Sequence, residues 1–198
     1  MQGHTHVLGG LLAGAAIAPV FGGVGVHLVP FLAAAALSAP LPDVDHPGSM
    51  YGRFIPLPSV AKVYGRLEPF RRGPEGNDLT SFGHVGWRVP GGILWHRGPT
   101  HSLLAAVVVS LLAWLVAGHF VPAASLPVAA GVASGYLSHL ALDEMNVAGE
   151  KLLWPLRRTV RLPWPSFRVG SVWEALTAVV MVAGIVVLVR PEIVRALL

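Results

Sequence analysis

Between Leu103 and Val121 the chain carries nothing polar except Ser110 and His119. A run of that length is long enough to cross the hydrocarbon of a bilayer, which takes about 20 residues of helix. Composition supports the membrane over a soluble core. Hydrophobic residues make up 54% of the 198 residues and charged residues only 12%, with a mean hydropathy of +0.63. A soluble domain carries about 25% charged residues. The 17 prolines and 23 glycines argue against a simple soluble bundle, whereas membrane helices tolerate both. The chain has no cysteine, so disulfides and thiolate ligands are excluded, and any metal must be held by His, Asp, Glu or Asn. The start of the chain lacks a basic region ahead of its apolar run, which argues against a cleavable signal peptide.

The remaining apolar stretches divide the chain. Val7 to Ala39 is apolar apart from a break at Pro19 to Gly25, which predicts two helices, roughly 7–18 and 25–39. Each is about 12–15 residues, or about 18–22 Å long, short for a core of about 30 Å. They read as two short spans or a re-entrant hairpin. Residues 43–100 are polar and rich in Pro and Gly, and 47–95 reads as an extramembrane loop insertion of functional length. After Leu103–Val121, a connection from Pro122 to Pro127 leads to Val128–Leu142, whose Ala, Gly and Ser content favours close helix packing. Residues 143–170 form a basic, tryptophan-rich segment, and Val172–Val189 is a last span with Glu174 near its start. The expected fold is all-α, a polytopic membrane helical bundle of about four to five helices. It forms a single membrane-embedded domain over residues 1–198.

Charge orients that bundle. Arg53, Lys62, Arg66, Arg71, Arg72, Arg88, Arg97, Lys151, Arg157, Arg158, Arg161 and Arg168 fall on one side, and only Arg190 and Arg195 on the other. The positive-inside rule makes the first side cytoplasmic. The net charge of +4 is therefore read as an orientation signal at the inner membrane, and no direct nucleic-acid binding is expected. Trp154, Trp164 and Trp173 read as an interfacial belt. Arg157, Arg158, Arg161 and Arg168 read as lipid headgroup contacts.

The same topology gathers four polar clusters at the cytoplasmic face: His4-Thr5-His6, Asp43-Val44-Asp45-His46, His96-Arg97-Gly98-Pro99-Thr100-His101-Ser102, and His139 with Asp143. Ionisable residues at membrane depth are costly and default to function. Imidazole with carboxylate suits zinc, with manganese and iron as alternatives, bound as one or two ions. Candidate ligands are His4, His6, Asp43, Asp45, His46, His96, His101, His139 and Asp143. His139 and Asp143 lie one helical turn apart on one face. Thr100 is the expected N-cap of the helix that follows, with Pro99 stiffening the approach. Glu144 and Asn146 lie close enough to be supporting partners. His27, His84 and His119 read as ordinary polar positions.

These motifs, His-Thr-His, Leu-Pro-Asp-Val-Asp-His-Pro, His-Arg-Gly-Pro-Thr-His-Ser and Ser-His-Leu-Ala-Leu-Asp-Glu-Met-Asn, resemble the YdjM-like family across roughly residues 3–155. Its members are bacterial and archaeal inner-membrane proteins described as LexA-binding and as predicted metal-dependent hydrolases. The resemblance implies a membrane-embedded hydrolase whose metal site falls on the nine candidate ligands named above. The segment between Pro47 and His96 and the spans after Trp154 depart from the family pattern.

The expected function is metal-dependent hydrolysis at the cytoplasmic membrane surface, with a phosphoester or phospholipid headgroup as substrate. Asp45 or Glu144 would serve as general base, and Arg97 would stabilise charge on the substrate. The alternative is a non-enzymatic metal-binding adaptor that docks a cytoplasmic protein partner through residues 47–95. A metal transporter is disfavoured because the clusters lie at one face and not midway along the spans. No His-Glu-x-x-His occurs to support an intramembrane metalloprotease.

Overall fold

A computed structural model describes residues 1–22, 24–45, 49–54, 99–145, 152–156, 160, 166 and 168–197. They form five α-helices: α1 (Gly3–Ile17), α2 (Leu28–Ser38), α3 (Leu103–Phe120), α4 (Ser125–Asp143) and α5 (Val172–Leu197). The fold is all-helical among the described residues, as the apolar periodicity predicts. Among the described residues, three stretches are long and apolar enough to cross a bilayer: Gly3–Phe21, Leu103–Phe120 and Val172–Pro191.

The first helix departs from the expected 7–18. It begins four residues earlier, with Gln2 in extended conformation as its N-cap. The backbone N–H groups of Thr5 and His6 donate to the Gln2 carbonyl, so the first histidine cluster lies inside the helix. Its end is set by Pro19, which cannot donate the helical hydrogen bond. The chain tightens into a 3-10 turn over Ala18–Phe21, and Gly22 closes it at φ 74°, a left-handed conformation that suits glycine. With that turn, α1 reaches spanning length. The second helix stays short, as expected, and runs through Ala39 and Pro40 into a 3-10 turn, Leu41–Asp45.

Small residues spaced four apart draw three helices together. On α1 the stripe is His6, Gly10, Gly14; on α2 and the turn after it, Phe31, Ala35, Ala39, Asp43; on α4, Gly131, Gly135, His139, Asp143. Each step is one helical turn, so each stripe stays on one face. A Cβ at Gly135 would sit 2.0 Å from the Ala35 carbonyl oxygen and 2.3 Å from Ser38 Oγ, and one at Gly10 would sit 2.6 Å from that same carbonyl oxygen. Ala35 is therefore the point where α1 and α4 both meet the α2 backbone. Ser38 donates to the Val132 carbonyl, adding a hydrogen bond across the α2–α4 contact. Without water to drive association, close packing and interhelical hydrogen bonds hold such helices together. Each of these stripes ends in an ionisable side chain at the same end of the bundle.

The other two helices are peripheral. α3 packs on α4, where Ala106 meets Tyr136 and Leu140, and α5 packs on α1. Both leave most of their apolar side chains outward, among them Val107, Leu111, Leu112, Val179 and Val187. Such a surface is stable when hydrocarbon covers it. Glu174, in the first turn of α5, is the tie to α1. Its Oε1 accepts from the Gln2 backbone N–H (2.7 Å) and from Thr5 Oγ1 (2.9 Å), and its Oε2 accepts from the Gly170 N–H (2.6 Å).

Candidate metal centre

Asp43, His101, His139 and Asp143 converge at the end of the bundle where α1, α3 and α5 begin and where α2 and α4 finish. One ligand atom from each lies within 4.8 Å of the other three. His101 Nε2 is 3.2 Å from Asp43 Oδ1, 3.4 Å from His139 Nε2 and 3.9 Å from Asp143 Oδ2. His139 Nε2 is 3.7 Å from both Asp43 Oδ1 and Asp143 Oδ2. Four ligands bound tetrahedrally at about 2.0–2.1 Å would be separated by about 3.3–3.4 Å. Five of the six pairwise spacings lie close to that range, so the group could enclose one divalent ion.

Electrostatics point the same way. Asp143 is the last residue of α4 and Asp43 lies in the turn after α2, so both carboxylates sit at the negative ends of helices. Burying two carboxylates there is costly unless positive charge compensates them. Burial by itself would raise the Asp43 carboxyl. The His101 hydrogen bond, with the neighbouring His139 ring, outweighs it and holds Asp43 well below the usual carboxylate range.

The supporting groups orient these ligands. Thr100 Oγ1 lies 3.2 Å from His101 Nδ1. In a metal-bound state the proton would sit on Nδ1 and be donated to that hydroxyl, freeing Nε2 from its hydrogen bond to Asp43 so that its lone pair faces the centre. Tyr136 on α4 fixes Thr100 in turn, its hydroxyl donating to the Thr100 carbonyl. The helix cap differs from the expected one: Ser102 is the N-cap of α3, accepting from the Ala105 N–H at 3.1 Å and donating to the Pro99 carbonyl at 2.6 Å. This leaves Thr100 to the imidazole.

On the far side of Asp143, His6 Nε2 lies 3.3 Å from Oδ1 and the Met1 ammonium 3.0 Å from the same oxygen. The His6 ring stacks on His139 with centroids 3.8 Å apart. His6 is thus beside the ligand group and braces two of its members. His139 Nδ1 is buried without a hydrogen-bond partner among the described residues.

The remaining candidates divide as follows. His4 is exposed and does not join the group. It is two residues from His6 on a helix that already runs at Gly3, so the two side chains leave on opposite sides. Glu144 is buried directly after Asp143 and caps α4. His46, His96, Arg97, Asn146 and the side chain of Asp45 lie outside the described residues, as do His84, Trp164, Arg157, Arg158, Arg161 and nearly all of the 47–95 segment. Sequence reasoning assigned no role to Tyr136 or Ser38. The four-residue spacing of Gly131, Gly135 and His139 is the signal that marks this face of α4.

Comparison with known proteins agrees with the motif resemblance. The sequence model described as YdjM inner membrane protein matches residues 1–197. The chain is 36% identical over 142 residues to the inner membrane protein YdjM of Escherichia coli (strain K12), covering 69% of this chain and 54% of the relative. The YdjM protein of Shigella flexneri gives the same figures. A protein named YvsG in Bacillus subtilis (strain 168) is 30% identical over 178 residues, covering 89% of this chain and 86% of the relative. The chain spans about half the length of the two YdjM relatives. No solved structure matches.

Proposed function

The chain belongs to the YdjM inner membrane protein family, and on that premise we propose that it is a membrane-bound, metal-dependent hydrolase. The observation that carries this reading is the convergence of two imidazoles and two carboxylates, from three different segments, within 4.8 Å. Zinc is the ion that a mixed nitrogen and oxygen set at this spacing suits best, with manganese and iron next. A divalent ion held there supplies Lewis acidity and a bound water acidified to a pKa of about 7.

The chain's own residues would do the rest. Asp43, His101, His139 and Asp143 bind; Thr100 and Tyr136 orient His101; His6 holds Asp143 and supports the His139 ring. Glu144, adjacent to Asp143, and Asp45, two residues after Asp43, are the carboxylates for taking the proton of the attacking water. Arg97, four residues before His101, is the cation for charge developing on a phosphoryl or carbonyl oxygen. The excess of Lys and Arg in the segments next to the site supports a cytoplasmic orientation. The same basic segments favour a phosphoester at the lipid surface as substrate.

The test is turnover of a panel of phosphoesters, including phospholipids, by the full chain purified in detergent. Hydrolysis abolished by chelation, restored by zinc or manganese and absent in Asp143→Asn supports the assignment. Turnover indifferent to chelator, or a metal-loaded protein inert across the panel, overturns it.

A further inference from the structure

A second feature lies against the site. An apolar groove of about 330 Å3 runs down the outer face of α3, lined by Leu104, Ala105, Val108 and Val109 and flanked by Trp154. Its inner end is built by Leu41, Val44, Pro99, Thr100 and Tyr136. Leu41 and Val44 belong to the turn that carries Asp43, and Pro99 and Thr100 to the turn that carries His101. The groove thus ends on the two short turns that present ligands to the centre.

We propose that this groove holds the acyl chain of a bilayer lipid whose headgroup reaches the metal centre, so that the substrate enters sideways from the membrane. The substrate class rests on the hydrolase reading; occupation of the groove by a lipid chain does not.

Three observations choose an acyl chain over other occupants. The groove is continuous with the lipid-facing surface of α3: Leu104 and Val108, each 47% exposed, adjoin the exposed Val107, Leu111 and Leu112. Beyond Thr100 and Ser102, the only polar side-chain atoms in its lining are the Tyr136 hydroxyl, which is already engaged with the Thr100 carbonyl, and the Trp154 indole N–H. A chain of methylenes asks for nothing more, whereas a peptide would leave its amides without partners. The Trp154 segment is tied to the start of α3 by the Leu103 N–H donating to the Leu152 carbonyl at 2.9 Å. That places an indole at the level where the apolar and polar parts of a lipid meet. The groove is hydrocarbon along α3 and closes on the two turns that carry Asp43 and His101, the apolar-to-polar order of a phospholipid.

The experiment uses the full chain in phosphatidylglycerol–phosphatidylethanolamine vesicles doped with a phospholipid carrying a diazirine midway along one acyl chain. Photolabelled positions are mapped by peptide mass spectrometry, and metal content is measured on the same samples. Labelling should concentrate on Leu104, Ala105, Val108 and Trp154, about tenfold above the average for the outward positions of α5. Val108→Trp, which fills the groove, should remove that excess and keep the metal content of the unsubstituted chain. Val116→Trp, on the same helix beyond the groove, should leave the labelling unchanged.

Labelling spread evenly over α3 and α5, absence of label from the groove, or an excess that survives Val108→Trp overturns the proposal. Absence of label would mean that another part of the chain or a partner protein covers the groove. If Val108→Trp loses its fold, Ala105→Phe applies the same block closer to the turn and is read the same way. Groove labelling in a protein that binds no metal would defeat the hydrolase reading and leave the lipid site standing.

Discussion

His6 of α1 and His139 of α4 stack face to face, with ring centroids 3.8 Å apart and planes 20° from parallel. Two imidazoles at that separation cannot both carry a proton's charge without strong repulsion. The stack therefore favours the neutral ring that a metal ligand must be. It also gives the residues different weights. His139 Nε2 faces the ligand group, while His6 touches it through Asp143.

His6→Phe keeps a flat ring against His139 and deletes the contact to Asp143. The expected result is a metal affinity about 10–100-fold weaker, the usual effect of losing a partner that orients a ligand. His139→Ala should abolish binding. Competition titration against a chromophoric chelator separates the two; equal losses in both would make His6 a ligand in its own right.

Asp43 should keep its charge through mild acidification. Its carboxyl is held below the ordinary range, so the stability it contributes is present above its unfolded pKa of about 3.9 and lost as pH falls through the lower folded value. The stability difference between the unsubstituted metal-free chain and Asp43→Asn, measured by thermal unfolding in detergent, should therefore be the same at pH 7 and at pH 5 and shrink only below about pH 4. A difference that vanishes between pH 7 and pH 5 contradicts this assignment.

Gly135→Val forces a side chain into the space where α4 meets the Ala35 carbonyl and Ser38 Oγ. Overpacking of this kind costs about 1–3 kcal/mol, and here the nearest blocking atom is a backbone carbonyl oxygen. The helix that carries His139 and Asp143 must shift, so thermal stability in detergent and metal content should fall together. Gly118→Ala, whose Cβ would meet only Ser125 Cβ at 3.9 Å, is the control and should leave both unchanged.

Glu174 fastens α5 to the start of α1 through three accepted hydrogen bonds. Glu174→Gln replaces a charged acceptor by a neutral one, and each hydrogen bond to a charged group is worth about 1.5–3 kcal/mol. Stability should fall by about that amount. Protection of the Gln2 and Gly170 amides from hydrogen exchange should fall with it, while metal content changes little. Retained protection at both amides would assign the tie to packing instead.

Much of this architecture is legible in the sequence because bilayer physics is strict. An apolar run such as Leu103–Val121 has few alternatives, and helices that alternate in direction carry Asp43, His101, His139 and Asp143 to one end. What the sequence hides is rotation and register. His4 and His6 are equivalent as residue types, and only a helix start at Gly3 separates the exposed one from the buried one. The sequence reading gives the cap to Thr100; the backbone gives it to Ser102 and leaves Thr100 to the imidazole. Glu174 reads as an isolated acid near the start of a span, because its partners Gln2 and Thr5 are almost the whole chain away. The period-four stripe through Gly131, Gly135, His139 and Asp143 was readable, and it points from the helix contact directly to the ligands.

The claim that Asp43, His101, His139 and Asp143 form one metal centre is tested most directly by elemental analysis of the full chain purified in detergent. The expected content is about one divalent transition-metal ion per chain, as four ligands at a single centre require. Separate Asp43→Ala, His101→Ala and Asp143→Ala variants should fall to background, and His4→Ala should match the unsubstituted protein. A chain that remains empty after loading with zinc and with manganese, or ligand variants that retain a full complement, would contradict it.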